Sequence, residues 1–180
     1  MEYYQLSCKG GYIGESKDLS MLIADEADGV SGAGGKEAVF GIEHRFCSTY
    51  TEKINPVEPI KLFAHYYIEG EEVIETDLVC VGTPLIVTED FKNLVEELDP
   101  GCAQFFTTEG TNYKPQKKYF VMHVTKTVDT IRHGWQVAED RVGENDHVFR
   151  VKKDPFGVFV SEKFRKEFKK RKMTGVVFLS

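Results

Sequence analysis

The side chains with the strongest intrinsic chemistry in this sequence are five histidines, His44, His65, His123, His133 and His147, and four cysteines, Cys8, Cys47, Cys80 and Cys102. A metal centre needs such ligands at spacings that bring them together, as in HExxH or CxxC. No two of these histidines stand four residues apart, and no two cysteines form a CxxC. A cysteine nucleophile needs an exposed, electropositive setting, whereas Cys80 lies inside the apolar run Leu78–Val81. Free, buried thiols in a reducing compartment are the simplest account of all four. There is no G-x-S-x-G elbow for a serine nucleophile. The glycine-rich stretch GVSGAGGKE resembles a phosphate loop only superficially. The pattern G-x-x-x-x-G-K-[ST] would require glycine at Val30 and a hydroxyl at Glu37. The sequence therefore offers no catalytic, cofactor-binding or metal residues, and no cofactor is expected.

What remains is recognition by a surface. Lysine and arginine total 23 against 29 aspartate and glutamate, a formal charge of −6. That balance opposes nucleic-acid binding, which is driven by cations displacing phosphate counterions, and suits a basic protein partner. Two acidic segments are candidate contact surfaces: Asp25, Glu26 and Asp28 beside the glycine-rich loop, and Glu139, Asp140, Glu144 and Asp146 in the charged stretch Ala138–Asp146. The first, Asp25, Glu26 and Asp28, lacks the ligand alternation of a calcium loop. Trp135 is either a core plug or an interface anchor, and the sequence leaves both open. The basic stretch Lys163–Lys172 reads as a solvated helix face whose charge complements its own macrodipole.

These residues need a scaffold. Hydrophobic residues form 41% of the 180, enough for one domain spanning 1–180. The absence of a signal-like start or a long apolar run leads us to expect a cytoplasmic protein that binds no membrane. Residues 1–76 read as mainly β: an opening strand over EYYQLS, strand-like Ala38–Phe46 and Ile60–Ile68, and a hairpin returning the chain through Val73–Val81. Residues 77–180 carry clearer grammar. Leu85–Val87 reads as a strand, Thr88 as an N-cap, and Phe91, Leu94, Val95 and Leu98 as one helical stripe that Asp99-Pro100-Gly101 stops. Val158–Val160, Ser161, Phe164 and Phe168 repeat the scheme before a closing strand at Gly175–Phe178. A gap-free displacement of 73 residues pairs Val87 with Val160, Thr88 with Ser161, Phe91 with Phe164 and Phe105 with Phe178. Between the units, Tyr119–Asp129 reads as one strand. The expected class is α+β, a mixed or mainly antiparallel sheet with a few helices and two repeated strand–helix–strand units in the second half.

Three segments together resemble a family of bacterial immunity proteins, the eleventh among the polymorphic-toxin immunity families. The first is Val158-Phe-Val-Ser-Glu-Lys-Phe-Arg with Met173-Thr-Gly-Val-Val-Phe178, similar to a closing V-S-E, helix, T-G-V-x-F pattern. The others are Leu85-Ile-Val-Thr-Glu-Asp-Phe91 and Tyr119–Asp129. The resemblance spans about 77–180. It implies a non-enzymatic protein, encoded beside an antibacterial toxin, that protects producer and kin by binding it. It transfers neither catalytic residues nor the toxin's identity. The rival readings are an enzyme or small-molecule binder that reverses a toxin's modification, and an unrelated cytoplasmic adaptor.

Overall fold

The computed structural model describes residues 2–8, 40–42, 53, 60–64, 75–80, 85–110, 116–129, 142–152 and 154–180. In chain order the elements are β1 (Tyr3–Cys8), β2 (Phe40–Ile42), β3 (Ile60–Ala64), β4 (Leu78–Cys80), β5 (Leu85–Thr88), α1 (Glu89–Leu98), β6 (Ala103–Gly110), β7 (Tyr119–Val124), β8 (Thr127–Val128), β9 (Val148–Val151), β10 (Asp154–Ser161), α2 (Glu162–Lys170) and β11 (Val176–Leu179). They form two sheets, ordered β11-β1-β10-β9-β8 and β2-β3-β6-β7-β5-β4. Among the described strands only β3–β6 and β8–β9 run parallel, so the class is α+β and mainly antiparallel.

Local chemistry sets both helices. Thr88 and Ser161 are extended, at φ/ψ of −73/167 and −75/162, and their side-chain oxygens accept the N–H of Phe91 and Phe164. That satisfies one of the donors a helix start leaves orphaned. Acidic Glu89, Asp90 and Glu162 occupy the first turns, and Lys169 and Lys170 the last turn of α2, where each charge opposes the macrodipole.

The sheet registers follow one scheme. In the larger sheet, β7 is flanked by β5 and β6, with Thr88 opposite Tyr119, Val87 opposite Phe120 and Phe105 opposite Met122. In the smaller sheet, β1 is flanked by β10 and β11, with Ser161 opposite Tyr3, Val160 opposite Tyr4 and Phe178 opposite Leu6. The main-chain bond from Thr88 N to Asp77 O has its counterpart from Ser161 N to His147 O. Lys92 sits over the Phe120 ring and Arg165 over Tyr4. Thus β1, first in the chain, fills in one sheet the place that β7 fills in the other.

Three expectations require correction. The two strand–helix–strand pieces lie in different sheets, not on a shared one. Leu78–Cys80 does not return as a hairpin beside β3; it pairs with β5, while β3 lies between β2 and β6. A turn signal reverses the chain but does not choose the strand's partner, and β5 offers β4 a ladder along Leu85–Val87. The segment Tyr119–Asp129 is two strands, because Thr125 and Lys126 donate their N–H groups to Cys102 O and carry the chain from one sheet to the other.

The two halves share a core. Phe91 meets Phe164 and Phe168 edge-on at 5.6 and 6.1 Å, and Phe168 also meets Phe178 at 5.4 Å. Two buried carboxylates fasten the halves at their rims. Asp77 accepts Thr174 N (2.7 Å), Thr174 Oγ1, Thr88 Oγ1 and Lys117 Nζ. Asp99 accepts the N–H groups of His147 (2.8 Å) and Val148 (3.0 Å) together with Lys126 Nζ. Each therefore reaches from one half into the loop or strand start of the other. Gly175, at φ +92, completes the first fastening. A Cβ there would lie 2.4 Å from Leu78 O and 2.8 Å from Thr76 Cβ, so the glycine of the T-G-V-x-F pattern is a close-approach residue.

Candidate binding surface

The most chemically suggestive contact in the fold is between Ser161 and His147, with Ser161 Oγ 2.8 Å from His147 Nδ1. It is not a nucleophile and its base. Ser161 is 0% exposed and His147 3%, and the serine oxygen also accepts Phe164 N as the α2 cap. Asp99, where a triad would need an acid on the ring, binds the histidine's main-chain N–H instead. Thr88 caps α1 in the same manner, with its hydroxyl donating to Asp77 (3.1 Å). At both N-caps, then, a buried polar partner meets the capping hydroxyl: a carboxylate that accepts from it at one, an imidazole nitrogen bonded to it at the other.

The imidazole makes that cap pH-sensitive. Burial, followed by the charge of Lys163, holds His147 below its ordinary value of 6.5, so the folded protein keeps the ring neutral. A group depressed on folding contributes stability that is complete above its unfolded value and is lost as pH falls through the folded one. We therefore expect the melting temperature to fall between pH 7 and pH 5. His147→Gln keeps a hydrogen-bonding side chain without a titrating ring and should flatten that part of the curve. Thermal melts of both proteins at the two pH values test this; an equal drop in each would remove His147 as the cause.

Beside this cap, burial alone would raise the Asp146 carboxyl, but Lys126 and the Gly143 N–H hold it below its usual value. Lys126 is held above its own by Asp146 and Asp99, against the effect of burial. Burial, and then the charge of Asp99, pushes the Cys102 thiol up to about 12, which leaves it protonated and inert. His123 is buried in β7. Among the described residues no group of His, Cys, Asp and Glu is arranged to hold a metal ion, and no helix is long and apolar enough to cross a membrane.

Of the residues expected at a contact surface, Glu144 is exposed in a turn and Asp146, two positions on, is half-buried against Lys126. Asp25, Glu26, Asp28, Trp135, Glu139 and Asp140 lie outside the described residues, as do His44, His65 and His133. The helices supply much of the described charged surface. On α1, Glu89, Asp90, Glu96 and Glu97 are exposed; on α2 and just beyond it, Lys163, Lys166, Lys169, Lys170, Arg171 and Lys172 are. Lys166 and Lys170 pair with Glu162 and Glu167 in their own helix, and Arg171 reaches across to Glu97 on α1. Among the described residues Lys163, Lys169 and Lys172 have no such carboxylate. The sequence placed this basic face in solvent correctly. It gave no sign that α1 would lie alongside with the opposite charge, because that depends on the helix pairing.

No curated protein matches the chain. The model of the Immunity protein family (Imm11) matches residues 57–134 and 130–180, which takes in both helices, the Asp77 and Asp99 fastenings, and every described strand except β1 and β2. Well over half of the sequence is covered, and the chain belongs to the Immunity protein family (Imm11).

Proposed function

We propose that residues 1–180 act as one immunity domain that binds a cognate antibacterial toxin in the cytoplasm of the producing cell and covers its active site. Membership of the immunity family carries this reading. The structure supports it in one respect: among the described residues, the serine–histidine contact of Ser161 and His147 is spent on capping α2. A protein that neutralises by occlusion acts one to one, and protection at nanomolar concentration requires about −12 kcal/mol of binding free energy. An interface of roughly 1,600 Å² is the usual scale for such a complex. The two halves read as related copies of one unit, on the strength of their matching caps and strand registers.

The test is a titration against the toxin encoded by the adjoining gene, with survival of cells co-expressing both proteins measured alongside. Residual toxin activity should fall linearly and vanish at one equivalent of this chain. Full protection at far below one equivalent would mean turnover, and occlusion would give way to an enzyme that reverses the toxin's modification.

A further inference from the structure

The two sheets differ at one corresponding edge. On the outer side of β6 the larger sheet continues into β3, which runs parallel to it, with Ile60 opposite Thr108 and Leu62 opposite Gly110. The strand in the matching place of the smaller sheet is β11, which is the last strand on that side among the described residues. Among the described residues β11 pairs with β1 alone. Its sequence, Val-Val-Phe-Leu, has no lysine, proline or bulge to blunt the edge. Val176 and Phe178 turn toward the shared core. Val177 and Leu179 therefore turn to the other face, since strand side chains alternate. Leu179 is 48% exposed, the one large exposed hydrophobic among the described residues.

We propose that the outer edge of β11 is a docking edge for an extended apolar segment of the toxin, which adds to the smaller sheet as β3 adds to the larger one. This rests on the immunity reading above and names the kind of contact it uses. The fold supplies its own precedent for the occupant: β3 is Ile-Lys-Leu-Phe-Ala, apolar at all but one position, and main-chain hydrogen bonds with alternating side-chain contacts are the general mode of strand addition. Charge adds a detail. Lys169 and Lys172, exposed and without a carboxylate partner among the described residues, lie just ahead of β11 in the chain, so the segment that docks carries an acidic residue toward that end. A second copy of this chain is a poor occupant. Each copy would bring its own basic α2 end, with Lys169 and Lys172, to the contact.

The experiment uses the full chain and the toxin domain encoded by the adjoining gene. Leu179→Lys places a charge on the exposed end of the edge and should leave the melting temperature unchanged. Hydrogen exchange of the parent with and without toxin reads the backbone of β11 directly. The expected result is at least tenfold weaker toxin binding by Leu179→Lys, with slower exchange of the β11 amides in the parent complex. Lys169→Glu combined with Lys172→Glu should slow association several-fold at low salt and much less at high salt. Tight one-to-one binding by the parent, with β11 exchange unchanged and Leu179→Lys binding equally well, overturns the docking edge and leaves the immunity reading standing. Absence of any binding by the parent overturns both. A parent that elutes as a dimer, with Leu179→Lys a monomer, assigns the edge to a second copy and overturns the toxin segment as its occupant.

Discussion

Phe168→Ala is expected to remove about 3–5 kcal/mol of stability, the range for emptying a buried phenylalanine site. The ring is 4% exposed and touches the rings of Phe91, Phe164 and Phe178. Its neighbours cannot close over the cavity, because Phe91 is held by α1 and Phe178 by β11. A domain of this size has about 5–15 kcal/mol to lose, so the variant should sit near its folding threshold. Denaturant melts with the parent alongside measure the difference. A loss below about 1 kcal/mol would show that the ring is not a core element and that the two halves are held together elsewhere.

The larger effect is expected from removing residues 2–8. Strand β1 is the middle of a three-strand group, and its loss strips hydrogen-bonding partners from β10 and β11 together while taking Tyr4 and Leu6 out of the core. The truncated chain should show no cooperative melt and no near-ultraviolet circular dichroism. Simple damage would give the same result, so a rescue is needed. Residues 2–8 re-attached after Ser180, through a flexible glycine–serine linker on the order of ten residues, would meet β11 as β7 meets β6. Restored cooperative melting supports the matching roles of β1 and β7. Failure of the rescue, with the linker varied in length, would show that β1 depends on the segment that now follows it.

The features legible in the sequence were those set within a few residues. Thr88 and Ser161 announce caps because a hydroxyl ahead of an acidic first turn and an apolar stripe has few other uses. Asp99-Pro100-Gly101 announces a stop, and Gly101 does take a left-handed φ of +82. What failed to read was pairing. Nothing local to Leu78–Cys80 says that it joins β5 and not β3, and nothing in Tyr119–Asp129 marks Thr125 and Lys126 as the crossing between sheets. The rim carboxylates were missed for the same reason. Asp99 looked like a helix terminator, and its bonds to His147 and Val148 exist only once the halves meet. Among the expected contact residues, Asp146 read as a free surface charge, whereas the fold sets it against Lys126. Net charge reports how many carboxylates a chain has, not how many remain available to a partner.

The position of β1 also has a consequence for synthesis. On the ribosome Tyr3–Cys8 emerges long before the strands it pairs with, for Tyr3 lies opposite Ser161 and Gln5 opposite both Phe159 and Leu179. These are among the most distant contacts the chain makes, and distant contacts form slowly because the intervening loop must close first. Until β10 and β11 have been translated, an aromatic strand has no native ladder to join and stays open to adventitious pairing. The smaller sheet, and with it the β11 edge, comes into being only when β11 closes on β1.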